Sequence, residues 1–265
     1  MTPDAGPFAA EDDGGGPRMT FLEHLEELRW AVLRSAAALA VVSVASFFAA
    51  KPLSQFLQWP LRRTGLAALP DGAVDLRLAS LGPTDAFVAA LKVSFLAGVA
   101  VALPYMLWEL WRFISPGLYQ KERRMAGPFV VAGVLLFFTG VSFAFAVVLP
   151  LGLRFMWTFT EYLGVRPVWA LARYLGFAST MMLAFGLAFQ LPIAILVLSK
   201  LGVVDPRTLG RKRPYAIVII LVAAAFLTPP DAMTQMLLAV PMMVLFEASV
   251  IVARIATRKK DGMAG

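Results

Sequence analysis

The chain reads as an all-α integral membrane protein. Six transmembrane helices are expected, with both termini in the cytoplasm, in a concave bundle whose helices five and six are short. Three observations predict this. Hydrophobic residues make up 59% of the 265 residues and charged ones only 15%, with a mean hydropathy of +0.74. That leaves too little polar surface for a soluble domain of this size. The charges act as punctuation, separating six runs that are almost free of them. The cations also fall unevenly on alternate connections, as they do around membrane spans.

Residues 1–18 are rich in Gly, Pro and acids and hold no apolar h-region. They are expected to be a disordered tail rather than a cleaved signal. Thr20, with Glu23 three residues on, forms a capping box. Phe21, Leu25, Leu28 and Val32 recur at helical spacing, so a short interfacial helix should lead into the first span. Residues 19–256 form the transmembrane domain, with spans at about 30–50, 84–108, 125–149, 174–199, 214–228 and 232–253. Residues 257–265 form a cytoplasmic tail. Most of these runs reach the roughly 17–25 residues that crossing the hydrocarbon needs, and in lipid a helix satisfies its own backbone. Span five is the exception. Between Pro214 and Thr228-Pro229-Pro230 it holds about 13 helical residues, or about 20 Å, against roughly 30 Å of hydrocarbon. Span six is only modestly longer before Glu247.

Six spans place both termini on one side, and the cations choose which. Arg18, Arg29 and Arg34, then Arg112, Lys121, Arg123 and Arg124, then Lys200, Arg207, Arg211, Lys212 and Arg213, then Arg254, Arg258, Lys259 and Lys260 fall together. The other side holds only Lys51, Arg62, Arg63, Arg77, Arg154, Arg166 and Arg173. The richer side is the cytoplasm. The six Trp lie near span boundaries or in outer connections, as an aromatic belt requires.

Most polar residues have a structural reading beside a functional one. Glu23, Glu26 and Glu27 favour a helix N-terminus and can pair with Arg29 and Arg34. Glu122 stands among Lys121, Arg123 and Arg124, a pattern that usually means a weak surface ion pair. Gln190 precedes Pro192 within an apolar span, which suits an interhelical hydrogen bond to a backbone group freed by the proline. Glu247 can snorkel or pair internally with Arg254, yet an intramembrane carboxylate is also a functional candidate. Asp231 reads as the N-cap of span six. Lys92 is expected to snorkel or to pair with Asp85.

The chain has no Cys and a single His, His24. Thiolate chemistry and a His- or Cys-built metal site are therefore excluded. No nucleotide-binding, zinc or nucleophile–base pattern is present. Neither an enzyme nor a cofactor is expected, and the basic balance is explained by membrane topology without nucleic acid.

Four segments together resemble the TatC family, the multispanning subunit of the twin-arginine protein translocase. They are HLEELR (His24 to Arg29), FISPGLYQKERR (Phe113 to Arg124), FGLAFQLP (Phe185 to Pro192), and TPPD followed by Gln235 and LFE (Leu245 to Glu247). The resemblance covers about Phe21 to Ala256. It implies a receptor that binds twin-arginine signal peptides of folded cargo at the cytoplasmic face of the bacterial inner membrane. It further implies recruitment of single-span TatA/TatB-type subunits, self-association in a complex, and transport driven by the proton-motive force. Carried over, it places signal-peptide binding on Glu122, Glu27 and Phe113, with His24, Arg29 and Tyr119 beside them. It makes Gln190, Glu247, Gln235 and Asp231 candidates for intramembrane or partner contacts. Gln190 stands where many members carry Glu, which removes a titratable group. The competing reading, a secondary transporter of a small solute, predicts internal repeats and a polar midplane site. No clear repeat is visible, and mid-span polarity is sparse.

Overall fold

A computed structural model of the chain describes residues 21–64, 78–115, 126–165, 169–201, 203, 205–227 and 232–261. The expectations for the tail at 1–18, the Thr20 cap, Tyr119, Glu122 and Asp231 fall outside those residues. The elements are α1 (Phe21–Phe47), α2 (Ala50–Leu57), α3 (Trp59–Arg63), α4 (Asp85–Ile114), α5 (Ala126–Phe143), a π-helical turn (Ala144–Val148), α6 (Leu149–Tyr162), α7 (Leu171–Ala188), α8 (Leu191–Lys200), α9 (Pro206–Arg211), α10 (Arg213–Leu227) and α11 (Ala232–Asp261). Five segments are long and apolar enough to cross a membrane, and α10 is a shorter sixth. Outside the helices, among the described residues, one isolated bridge joins Ala79 to Ala170.

Several helix ends depart from the sequence reading, each for a local reason. The interfacial segment and the first span are one continuous helix, α1, since no Gly or Pro interrupts it. The second span runs on to Ile114, six residues past its expected end at 108. Glu109 is not a boundary there but a buried residue. The third continues through a π-turn into α6 and ends at Tyr162. Pro150 has no N–H for the preceding turn, and the ladder widens into i→i+5 bonds just before it. The fourth is two helices, because Pro192 denies an N–H to the carbonyl of Ala188 and the chain turns at Phe189 and Gln190. Helix α10 has 15 residues, about 22 Å at helical rise, so the short fifth helix is present. The sixth is longer than expected. Helix α11 has 30 residues, accommodates Pro241 and runs to Asp261, eight residues past its expected end at 253, with no Gly or Pro between Glu247 and Gly262.

Helix α1 packs along α4, and α4 packs on α5 and α7. Helix α11 lies against α8 and α10. The main core gathers Val93, Leu149, Leu175, Met181, Phe185, Leu238 and Val250, and a smaller one forms around Phe137, Val99, Leu103 and Leu107. Lipid is as apolar as these side chains, so close packing rather than water exclusion holds the helices together. Small residues make the closest crossings. A Cβ added at Gly98 would meet the Ser43 side chain and lie 2.9 Å from Ser43 Cα. One at Gly186 would press into the Phe137 ring, and one at Gly140 would sit 2.6 Å from the Phe185 carbonyl oxygen.

Polar and aromatic contacts tie the end of the bundle where α2, α3 and the start of α7 meet. The Tyr174 hydroxyl donates to the Leu57 carbonyl at 2.6 Å. Phe56 and Trp59 both stack on Phe145. The Asp85 carboxylate accepts from the N–H groups of Leu81 (2.9 Å) and Gly82 (3.0 Å). It therefore closes its own turn rather than pairing with Lys92. The Lys92 ammonium lies against Gly176 of α7, where an added Cβ would come within 2.9 Å of Nζ.

Gly98→Ala should lower thermal stability by about 1–3 kcal/mol and make α1 more accessible to protease. Gly127→Ala, where an added Cβ meets nothing within 4 Å, should leave both unchanged. Unfolding of the detergent-solubilised chain, followed with limited proteolysis, checks the pair.

Candidate functional site

Two helices meet where the sequence placed the recognition residues. Helix α1 carries His24, Glu27 and Arg29, and α4 ends one residue after Phe113. His24 and Phe113 stack with ring centroids 4.3 Å apart and planes at 15°. That contact brings the HLEELR segment against the start of the first cytoplasmic loop signature. Glu27 follows His24 by three residues, so both lie on one face of α1. Glu27 is partly buried, and its Oε2 is buried without a hydrogen-bond partner. Arg29 is exposed on the same helix.

Arg34 does not pair with the acids of its own helix. Its Nη1 lies 3.5 Å from Oε2 of Glu109 on α4. The other oxygen of Glu109 accepts from the Tyr105 hydroxyl at 2.9 Å. The Glu109 side chain is 6% exposed against 44% for Arg34, so a buried carboxylate is held from two sides. Glu109 was passed over in the sequence because it stood just beyond the expected end of span two. Its place four residues before Phe113 and four after Tyr105 was the available signal, since i, i+4 residues share a helix face.

An apolar groove of about 820 Å³ opens between α1, α4, α5, α7 and α8, with Val32, Leu39, Met106, Phe113 and Ile193 among its walls. Ser35 and Gln190 are the polar residues of its lining. Gln190 Nε2 donates to the Gly133 carbonyl on α5 at 2.9 Å, while Oε1 is buried without a partner. The interhelical bond exists, but its acceptor belongs to α5 and is not a group freed by Pro192.

At the N-terminal end of the short helix α10, Arg213 Nη2 donates to Glu247 Oε2 at 2.7 Å. The internal partner expected for Glu247, Arg254, is replaced in that contact by a residue from the neighbouring helix. Gln235 Nε2 donates to the Leu221 carbonyl at 3.0 Å. Both contacts tie α10 to α11. No group of three or more His, Cys, Asp or Glu able to hold a metal occurs among the described residues.

The sequence profile of the family described as "Sec-independent protein translocase protein (TatC)" matches residues 23–241. A Sec-independent protein translocase protein TatC of Desulforapulum autotrophicum is 39% identical over 241 residues, 91% of this chain and 86% of its own length. The TatC of Aquifex aeolicus is 37% identical over 244 residues, 91% of this chain and 98% of its own. A crystal structure of the twin arginine translocase receptor TatC superposes with a TM-score of 0.79 at 36% identity, covering 89% of this chain and all of that one. The helices, their packing and these likenesses agree: the chain belongs to the TatC family and is a multi-pass membrane subunit of the Sec-independent protein translocase.

Proposed function

We propose that this subunit is the translocase receptor, reading the paired arginines of signal peptides on folded cargo at the cytoplasmic face. The observation that carries the reading is the junction of α1 and α4. There an aromatic pair, His24 and Phe113, stands beside a carboxylate whose Oε2 is buried and unpartnered. A buried acceptor without a donor is costly, and an incoming guanidinium supplies planar, bidentate donors. Glu122 and Tyr119, from the loop that follows Phe113, join this face in the proposal, and Arg29 flanks it. The apolar part of the signal peptide then follows the groove between α1 and α8.

The same reading assigns both termini to the cytoplasm of a bacterial inner membrane, because the richer set of cations lies on that side. Single-span TatA/TatB-type subunits assemble on the bundle, copies of the subunit associate, and the proton-motive force drives transport. Gln235 and Glu247 serve this assembly by fastening α10, and Asp231 is assigned a partner contact with them. A helix of about 22 Å leaves a hydrophobic mismatch with ordinary lipid, met by thinning or by a covering partner helix. Gln190 offers a neutral polar contact to the helix in the groove.

A twin-arginine peptide should bind the purified full chain in nanodiscs more tightly than its twin-lysine version, because an ammonium lacks the planar fork. Glu27→Gln and Glu122→Ala should each weaken arginine-peptide binding by about tenfold or more and leave folding intact. Equal affinities for the two peptides would sink the receptor reading. Gln190→Leu removes one hydrogen bond and one orphaned acceptor together, so its stability should change by less than about 1 kcal/mol. Thermal unfolding measures this, and twin-arginine-dependent export in a complemented strain should persist.

A further inference from the structure

Among the described residues, Arg34–Glu109 is the one ion pair with a buried carboxylate, and the recognition face does not use it directly. Its position gives it a task. Among the described residues of α1, only Ala31 is buried, so that helix has little core to hold it. What holds it is a seam along α4 with contacts in antiparallel order. Phe47 meets Phe87, Ser43 meets Gly98, Arg34 meets Glu109, and His24 meets Phe113. The first two lie toward the outer side. Between the Gly98 crossing and the stacked rings, Arg34–Glu109 is the directional contact that sets how α1 turns about its axis.

We infer that Arg34 and Glu109 are positioning residues that hold Glu27 and His24 of α1 in register with Phe113 of α4. The inference rests on the receptor reading given above for those three residues. Glu109 stands one helical turn before Phe113, and the Tyr105 hydroxyl, one turn earlier still, orients its carboxylate. A carboxylate with 6% exposure has no water to replace a lost cation, so its partner is strongly specified. Neither Arg34 nor Glu109 lines the groove. The pair therefore fixes the walls of the site without competing for its occupant. Lost packing alone would affect any ligand. Misplacement of Glu27 instead affects the ligand that needs a placed acceptor, and so acts on arginine against lysine.

The test uses the full chain in nanodiscs with spin labels at Leu22→Cys and Arg112→Cys. Both positions are exposed, and the chain has no other cysteine. The unaltered background should give a narrow distance distribution. Glu109→Gln, nearly isosteric, and Arg34→Gln, at a half-exposed position, should each broaden it. In the unlabelled chain each should weaken twin-arginine peptide binding about five- to tenfold, with twin-lysine binding unchanged. The exchanged pair Arg34→Glu with Glu109→Arg should restore both the distribution and the affinity. An unchanged distribution overturns the inference, whatever happens to affinity. A broadened distribution with unchanged twin-arginine binding overturns it as well, and so does an equal loss for both peptides. If the parent chain itself fails to distinguish the two peptides, the receptor reading fails and this inference falls with it.

Discussion

The seam between α1 and α4 is the constraint on which the proposed recognition face depends. In lipid a helix gains nothing from burying apolar side chains, so its place is set by close packing and by polar contacts. Helix α1 buries only Ala31 among its described residues, and many of its apolar side chains are exposed, including Leu33, Val41 and Val44. Its position therefore comes from a few specific contacts. Gly98 admits Ser43 at backbone distance, Glu109 holds Arg34, and Phe113 stacks on His24. Glu27, one of the acids proposed to read the cargo, rides on the least buried of the long apolar helices. A small rotation of that helix would move Glu27 away from Phe113 while leaving the core around Phe137 and Phe185 intact.

That arrangement answers an electrostatic difficulty. The cations on the side proposed to be cytoplasmic would repel a peptide carrying two arginines. Screening confines the repulsion to a Debye length of about 8 Å, and within that range a placed carboxylate decides the outcome. A partly buried acceptor with an unmatched oxygen, as at Glu27, is worth more to a guanidinium than a solvated acid on an open surface would be. Recognition then comes from geometry more than from net charge.

The six spans were legible in the sequence because charges break the apolar runs and little else does. The helix ends were less so, since each depended on a contact made elsewhere in the chain. Span two appeared to end before Glu109, but Arg34 accommodates that carboxylate within the helix. Span six was expected to end at 253, but its helix runs on to Asp261, and Arg213, 34 residues before Glu247, meets that carboxylate within it. Proline positions did carry information: Pro150 follows a π-turn and Pro192 follows a break, though only the coordinates show which distortion each produces. At the site, His24 and Phe113 were each legible as candidates from the signature segments. Their stacking and the Arg34–Glu109 contact were not, because no spacing rule links residues on different helices.

Photocrosslinking from position 113 tests the central claim most directly. With a photoreactive phenylalanine analogue replacing Phe113, a twin-arginine precursor should be labelled beside its arginine pair, and the twin-lysine precursor should lose that label. Equal labelling of both precursors, or labelling only in the mature part of the cargo, would contradict the assignment of arginine recognition to the α1–α4 junction.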